Sequence, residues 1–477
     1  MIIKNIAFFI FILVSTISFG QSTFEYVLRD SEDQVTISIF ENNSKFIYCS
    51  VLGENSSTIL KLNEYGVLAD SIRFENPGSQ CEITDLCIYN DNSFAGFGGF
   101  QINNEYYLWY LNLDYNLNVL SNYKIPVNYK VTEGHAILNS YGNFVFAAGF
   151  YTEGYGIIDP CFFEIEADGH LKRHKHFIDI GFNIPSEIIE DTTNMVYKVF
   201  TIHPLSRIHC NLTNLDSAFN IVSGKMIYPN IEEQNSAVWL NDSVYLLSGK
   251  RVSSKKSTQF DLSLLKLNNQ DSIIQSAYLG KEDTVDWPAI HDNLAFTNKN
   301  SIFYASYLCQ YVPDDFTEAP SWIQISNFDE DLNLQWQRLY GGDAYYIPYA
   351  VCATYDSGLL IASSRYDWNI QDMERDVHIL KVNKEGLIVG TDEKSTFQTT
   401  EAILYPNPGN ELINIWISGQ YKNTRFQLFD MKGKIIIEEI ISGPKGCIHV
   451  EQLKPGPYLF RIFNHDGLHE EGKWIKK

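Results

Sequence analysis

Three stretches of this sequence set aromatic side chains beside carboxylates, a mixture that suits sugar binding. They lie in residues 151–160, 310–321 and 365–375. An aromatic face can cover a sugar ring while a carboxylate accepts hydrogen bonds from the ring hydroxyls, and polar loops on a rigid scaffold often carry function. We therefore predict binding, without turnover, of a glycan or another surface polymer by a set of loop residues: Tyr151, Tyr155, Tyr311, Asp314, Asp315, Tyr366, Asp367 and Trp368.

The same carboxylates leave two alternatives open. A secreted polysaccharide hydrolase or lyase could use a pair of them, such as Asp315 with Asp367, as general acid and base. That chemistry needs one carboxyl whose pKa is raised by a dry pocket, which no sequence pattern shows. The loops could also form a solvated surface without a ligand.

No established catalytic or cofactor motif accompanies these loops. The chain lacks His-Glu-x-x-His, Gly-x-Ser-x-Gly, the phosphate-binding Gly-x4-Gly-Lys-Ser/Thr and Cys-x-x-Cys. The eight cysteines lie mostly in apolar runs and are interpreted as small buried residues. His174 and His176 share a strand face but fall among basic residues, and the acidic run 327–333 fits a turn better than a calcium loop. We predict no cofactor and no metal.

The net charge argues against nucleic-acid and membrane-surface partners, and the first twenty residues predict export. The formal net charge of −22 repels nucleic-acid phosphates and anionic lipids. Residues 1–20 combine Lys4, an apolar run and small residues at 18 and 20, which predicts a signal peptide cut before Gln21. The apolar run is too short to span a bilayer, and no other segment is long or apolar enough.

An internal repeat predicts the scaffold that holds the loops. An apolar strand, a turn led by Asn or Asp (by Glu in the third unit) and a second strand recur about every 50 residues, with the turns anchored at residues 63, 114, 166, 214, 268, 329 and 383. A second polar turn precedes each anchor, so each unit contains four antiparallel strands. Seven such units predict an all-β fold, a seven-bladed β-propeller over residues 21–395.

Two other architectures were considered for the repeat. Helical solenoids are excluded because no sustained 3.6-residue apolar period is present. An array of small β-sandwiches remains the alternative, although it would need linkers that the sequence does not show. In the propeller, the loop joining the second and third strands of each unit opens on one rim, and four of these loops are long: residues 151–160, 250–259, 310–321 and 365–375.

The repeat stops after residue 389, and a smaller domain follows a polar linker at 396–401. Short alternating strands in residues 402–477, separated by Gly- and Pro-containing turns, predict a compact immunoglobulin-like β-sandwich. Three ordered motifs stand out: Tyr405-Pro406-Asn407-Pro408, then Asp430-x-x-Gly433-Lys, then Leu453-x-x-Gly456-x-Tyr458.

With these motifs, residues 402–477 closely resemble the C-terminal sorting domain of type IX secretion in Bacteroidota. The body resembles the propeller repeat region of proteins exported by that route. The resemblance implies that a translocon and a sortase recognise the tail. It further implies passage through the periplasm, then surface attachment or release. Pro457 and Met431 depart from the usual pattern, but no motif glycine is lost.

Overall fold

The computed structural model describes most of the chain after the predicted signal peptide. It covers residues 21–388, apart from 31, 153–156, 178–183, 204–208, 228, 253–258, 281–283, 310–315 and 371–372, and residues 402–477, apart from 406–408, 418–423, 444 and 465–468. Every regular element in these residues is a β-strand, so the all-β prediction is confirmed. Among them, no helix is long and apolar enough to cross a membrane.

The strands of residues 24–382 assemble into seven antiparallel sheets. Strand β1 is Phe24–Leu28. Sheet 1 contains β2 (Val35–Glu41), β3 (Ile47–Leu52), β4 (Ser56–Leu62) and β5 (Leu68–Glu75). Sheet 2 contains β6 (Cys81–Asn90), β7 (Ser93–Ile102), β8 (Glu105–Asp114) and β9 (Val119–Val127). Sheet 3 contains β10 (Lys130–Leu138), β11 (Phe144–Thr152), β12 (Ile157–Ile165) and β13 (Leu171–His176).

The later sheets follow the same order along the chain. Sheets 4 and 5 are formed by β14 (Ile184–Asp191), β15 (Val196–His203), β16 (His209–Leu215) and β17 (Ile221–Met226), and by β18 (Glu233–Asn241), β19 (Val244–Val252), β20 (Phe260–Asn268) and β21 (Ile273–Leu279). Sheet 6 contains β22 (Val285–Pro288), β23 (Leu294–Asn298), β24 (Ser301–Cys309), β25 (Trp322–Phe328) and β26 (Leu334–Gly341). Sheet 7 contains β27 (Tyr345–Ala353), β28 (Leu359–Tyr366), β29 (Asp376–Val382) and the distant β1.

The first strand of the chain completes the last sheet. β1 runs antiparallel to β29, with Phe24 opposite Lys381 and Leu28 opposite Val377. Sheet 7 would otherwise have three strands, so β1 supplies its outer edge. This pairing joins the two ends of the repeat region, and the spacing of the repeats did not indicate it.

Apolar clusters fill every gap between consecutive sheets, including the gap from sheet 7 back to sheet 1. In that last gap Phe24 and Ile379 of sheet 7 pack with Ile47 of sheet 1. Six further clusters join the other neighbouring pairs. The described sheets therefore follow one another in a closed circuit. The middle strands are mostly buried, whereas fourth strands such as β5 and β17 are largely exposed.

The turns between third and fourth strands repeat one geometry. In six of the seven, an Asn or Asp oxygen accepts hydrogen bonds from the backbone N–H groups two and four residues on, as Asp329 does from Asp331 and Asn333, both at 2.9 Å. The carboxylate of Asp329 is thus used within its turn, in keeping with our interpretation of 327–333. In the fourth unit the turn starts at Asp216, so the anchor predicted at residue 214 was wrong by two positions.

The fourth residue of each of these turns has a positive φ and meets the preceding sheet. Gly66, with φ of +77°, lies directly under the ring of Phe24 in sheet 7, and Gly169 and Gly386 lie under Tyr123 and Trp336 in the same way. Where glycine is absent, the side chain itself reaches the neighbouring sheet: Leu117, Phe219, Asp271 and Leu332.

The tail forms two sheets around one core. Its strands are β30 (Ala402–Tyr405), β31 (Leu412–Ile417), β32 (Thr424–Phe429), β33 (Ile435–Ile441), β34 (Lys445–His449), β35 (Gly456–Phe463) and β36 (His469–Lys476). One sheet has the order β30-β31-β34 and the other β33-β32-β35-β36. Ile413 from the first sheet and Phe426 and Trp474 from the second share a fully buried core.

Candidate functional site

Half of the predicted ligand-binding residues fall outside the described part of the chain. The four long loops do join second and third strands, namely β11–β12, β19–β20, β24–β25 and β28–β29. Four of the predicted residues lie outside the described residues: Tyr155, Tyr311, Asp314 and Asp315. The pairing of Asp315 with Asp367 proposed for the enzymatic alternative therefore stays a prediction.

The described loop residues differ in how far they are free to contact a ligand. Tyr151 is 38% exposed at the end of β11. Tyr366 is only 4% exposed, because its ring packs edge-on against Phe316 and its hydroxyl meets the Met373 sulfur. Trp368 is half-buried in the same apolar cluster. Tyr366 therefore offers little surface to a ligand, because it is buried in an apolar cluster beneath the loop.

Asp367 is held by an arginine. Its Oδ2 accepts a hydrogen bond from Arg365 at 3.0 Å, and Asn369 donates to Oδ1 from both its backbone and its side chain. The guanidinium of Arg365 also lies 3.4 Å from Asp343 and 3.7 Å from Asp376. Protein groups thus occupy both oxygens of the Asp367 carboxylate and fix its orientation.

A second group of titratable residues, absent from our predictions, lies on the first strands of the sheets and, in sheet 6, between β22 and β23. These strands (β2, β6, β10, β14, β18, the β22/β23 pair and β27) contact one another in a closed circuit, which identifies them as the inner strands. Six carry a β-bulge at the corresponding position, and in sheet 6 the strand is split into β22 and β23. A bulge re-aims a side chain and breaks the ladder, which leaves backbone groups unpaired.

Five side chains at this level form what we call the inner-strand cluster: Asp85, His135, Glu187, His291 and Asp292. His135, Glu187 and Asp292 each place one nitrogen or carboxylate oxygen within 4.8 Å of the others. The Nδ1 of His135 lies 3.8 Å from the Asp292 carboxylate, and the ring of His291 lies 5.8 Å from that of His135.

Two of the carboxylates tie neighbouring sheets together. Asp85 accepts hydrogen bonds from Ser38 of sheet 1 at 3.0 Å and from the Ala136 N–H of sheet 3 at 2.7 Å. Glu187 accepts from its neighbour Ile188 at 2.9 Å and from the Ala237 N–H of sheet 5 at 3.2 Å. Ala136 and Ala237 lie on β10 and β18, which have no neighbouring strand on one side, so these carboxylates satisfy edge-strand donors.

The cluster contains acids but no basic partner. Within the described residues, no lysine or arginine forms an ion pair with Asp85, Glu187 or Asp292. Burial and the charge of Asp292 raise the pKa of Asp85 to about 8 and that of Glu187 well above its usual value. Burial also raises the pKa of Asp292, against the influence of His291.

The two histidines are held in their neutral form. Burial lowers the pKa of His135 to about 4, although the nearby Glu133 charge opposes the change. The pKa of His291 is lowered by burial as well. A neutral imidazole beside two carboxylates is a set of donors that divalent transition metals accept.

Sequence reasoning missed this cluster because no local motif marks it. Its residues come from sheets 2, 3, 4 and 6, and its three closest donors, His135, Glu187 and Asp292, are about 50 or more residues apart in sequence. The available signal was positional: Ser38, Asp85, His135 and Glu187 each stand four or five residues before the polar turn of their unit. Superimposing the repeats would have aligned these polar residues inside otherwise apolar strands.

The three sorting motifs occupy turns and edges of the tail. Tyr405 is the last residue of β30, and Pro406, Asn407 and Pro408 lie outside the described residues. Asp430 and Gly433 form a turn with the same hydrogen bonds as the Asn- and Asp-led turns between third and fourth strands in sheets 1 to 7, and Gly433 has a φ of +81°.

The third motif, Leu453-x-x-Gly456-x-Tyr458, packs against the apolar core of the tail. Leu453 packs on it, Gly456 begins β35 with φ of +142°, and the Tyr458 ring lies 6.1 Å from that of Trp474. The Tyr458 hydroxyl donates to the Lys454 carbonyl at 2.9 Å.

Comparison with known proteins identifies the tail. Residues 403–477 match the family described as "Secretion system C-terminal sorting domain", which confirms the type IX resemblance and marks the chain for export to the cell surface or extracellular space. No curated protein sequence matches the chain.

Solved structures similar to this chain are distant in sequence. They include the extracellular domain of a protein described as a hybrid two-component system from B. thetaiotaomicron, at 11% identity and a TM-score of 0.42, over 94% of this chain and 57% of that one. The β-propeller domain of the trilobed protease from Pyrococcus furiosus matches at 10% identity and a TM-score of 0.42, over 74% of this chain and 98% of that one. The chain thus spans little more than half the length of the first of these proteins.

Proposed function

We propose that this chain, which ends in a type IX sorting domain, is an exported surface protein whose ring acts by binding. Residues 1–20 direct it to the periplasm. Residues 21–395 form a seven-bladed β-propeller, 396–401 a linker, and 402–477 an immunoglobulin-like sorting domain that the translocon and sortase recognise. The propeller reading is supported by the closed circuit of apolar clusters and by the β1–β29 pairing.

The ligand that we propose is a glycan or another surface polymer, bound at the rim where the β11–β12, β24–β25 and β28–β29 loops emerge. Tyr151 offers an exposed aromatic face there. Trp368 keeps part of its ring accessible, above a cluster that fixes its orientation. A rigid aromatic platform costs little entropy when a ligand binds.

Binding is favoured over turnover by one observation, the ion pair between Asp367 and Arg365. General acid–base catalysis needs a carboxyl whose proton is available near neutral pH. Both oxygens of Asp367 are instead already engaged, Oδ2 by the guanidinium and Oδ1 by Asn369. The pair orients the loop, which suits recognition of a ligand better than chemistry on it.

The test uses the mature chain, residues 21–477, on a glycan array and in an assay for newly released reducing ends. We expect retention of at least one glycan class without release of reducing ends, and loss of retention in Tyr151→Ala with Trp368→Ala. Release of reducing ends that disappears in Asp367→Asn would establish the hydrolase or lyase instead. Absence of both signals would contradict a carbohydrate ligand.

Export is tested separately by deleting residues 402–477 in the native host and fractionating the cells. We expect the truncated chain to accumulate in the periplasm, because the tail is the part recognised at the outer membrane. Unchanged surface display of the truncated chain would refute the sorting role. The control is Tyr65→Ala, at an exposed position in the turn between β4 and β5, outside the deleted residues. It should leave display unaffected.

A further inference from the structure

The inner-strand cluster differs from the ion pairs that hold the buried lysines of this protein. Lys198 is paired with Asp191 and Asp271, Lys250 with Glu233, and Lys381 with Glu41. Asp292 and Glu187, by contrast, meet no lysine or arginine within the described residues, and they face each other. Glu187 is buried, and the Asp292 side chain is 37% exposed. Two carboxylates this close repel each other unless a proton or a cation lies between them.

His135 supplies the second and independent observation. The residue is 7% exposed, and neither ring nitrogen makes a hydrogen bond in the part of the chain that the structure describes. Its Nδ1 points at the Asp292 carboxylate from 3.8 Å, which is too long for a hydrogen bond. A histidine nitrogen normally donates or accepts at least once, so this ring can bind either a water molecule or a metal ion beside Asp292.

We propose that His135, Glu187 and Asp292 bind one divalent transition-metal ion of the zinc type. One imidazole nitrogen and two carboxylates form a donor set suited to Zn²⁺, and the two carboxylates balance its charge. The imidazole argues against calcium, which prefers oxygen donors throughout.

The geometry requires only a modest contraction. Donors of a tetrahedral zinc ion at about 2.0–2.1 Å stand roughly 3.3 Å from one another, whereas the three atoms here lie within 4.8 Å of one another. Among the described residues, the side chains of Asp292 and His135 make no hydrogen bonds that would resist closing, while backbone N–H groups hold Glu187 in place. A further side of the ion would remain open, because three protein donors leave the fourth tetrahedral position to water or a ligand.

The position of the site also gives it a structural role. Glu187 bridges sheets 4 and 5, His135 comes from sheet 3, and the Asp292 carbonyl accepts the Val351 N–H of sheet 7 at 2.7 Å. A bound ion would therefore link inner strands from widely separated parts of the chain. Because folding creates the site, metal binding should stabilise the folded ring.

The experiment titrates the chelator-treated mature chain with Zn²⁺, Mn²⁺ and Co²⁺, followed by calorimetry and by thermal unfolding. We expect one Zn²⁺ per chain, a higher Tm with the metal, and a Co²⁺ absorption spectrum in the visible region. Asp292→Asn and His135→Gln should each weaken Zn²⁺ binding at least about tenfold and abolish the metal-dependent rise in Tm.

His174→Gln is the matched control. That histidine was a sequence-based metal candidate, but it lies on outer strand β13 and stacks on Phe163 at 6.0 Å. It should leave affinity and stoichiometry unchanged. Glu187→Gln provides a third ligand variant if either of the others fails to fold, which circular dichroism without metal would reveal.

Two results would overturn the proposal. One is the absence of heat and of any Tm change with all three metals. The other is equal Zn²⁺ affinity in the wild type and in a folded Asp292→Asn or Glu187→Gln variant, which would indicate adventitious surface binding. Neither result tests the proposed glycan binding, because that assay depends on Tyr151 and Trp368 and not on the metal-site residues.

Discussion

The ammonium of Lys381 lies 3.3 Å from the carboxylate of Glu41, although 340 residues separate them. Lys381 is on β29 of sheet 7 and Glu41 is the last residue of β2 in sheet 1. Both side chains are almost completely buried, and Asp356 and Ser22 complete the shell around the ammonium. The contact lies where the first and last sheets meet, so it is one of the interactions that close the circuit of seven sheets.

Replacing Lys381 with Met should cost about 3–5 kcal/mol of folding free energy, because Glu41 would be left buried without its partner. Urea unfolding of the mature chain measures the loss. Adding Glu41→Gln to Lys381→Met should restore part of the stability. In the exposed pair Lys45–Glu64, Lys45→Met should cost within ~1 kcal/mol. Similar losses at the two sites would contradict the role assigned to the buried pair.

Gly66→Ala should lower the free energy of unfolding of the seven-sheet domain more than Gly142→Ala does, although both glycines have nearly the same φ, +77° and +79°. An added Cβ at Gly66 would lie 2.4 Å from the Phe24 ring, whereas nothing lies within 4 Å of that position at Gly142. Gly142→Ala should cost about 1–2 kcal/mol for backbone strain alone. Gly66→Ala should add about 1–3 kcal/mol for overpacking, measured by the same urea titration. Equal effects would mean that Phe24 moves aside freely.

Trp474→Ala should unfold or loosen the tail without changing the ring. The side chain is fully buried in the tail core, and loss of such a residue costs about 3–5 kcal/mol. The mature variant should lose protease resistance in residues 402–477 while the ring stays resistant, and the host should display less of it. Ile440→Ala, at a position that is 62% exposed, is the control. Normal display of Trp474→Ala would show that sorting does not need this core.

Glu164→Gln should destabilise sheet 3 at pH 7 and much less at pH 3. Burial favours a higher pKa for Glu164, but hydrogen bonds from Lys172 and Asn143 and the charge of Arg173 outweigh it and lower the pKa. A lowered folded-state pKa adds stability above the unfolded value of about 4.3, and this stability is lost as the pH falls through the folded value.

Unfolding midpoints of wild type and Glu164→Gln between pH 3 and 7 test this sign. Lys172 and Arg173 are the charged groups facing the carboxylate, and Tyr197 of sheet 4 lies close by as a neutral phenol. Because glutamine carries no charge at any of these pH values, the two proteins should converge in stability toward pH 3. A difference that grows as the pH falls would contradict the assigned cause.

The sequence was informative wherever a feature repeats locally. The Asn- and Asp-led turns predicted an all-β chain of four-stranded units, because a side-chain oxygen two to four residues from its donors needs no distant contact. The tail motifs were equally local, and Asp430 and Gly433 form the turn that their spacing suggests.

Contacts between distant parts of the chain were decided only by the tertiary structure. The pairing of β1 with β29, the burial of Tyr366 against Phe316 and the neighbours of His135 each depend on how separate sheets meet. By itself the sequence determined the strands, the turns and the sorting tail, because these arise from interactions within a few residues. Which polar side chains converge on the inner strands was decided by the bulges and by the closure of the sheets, since each contributes one residue from a different part of the chain.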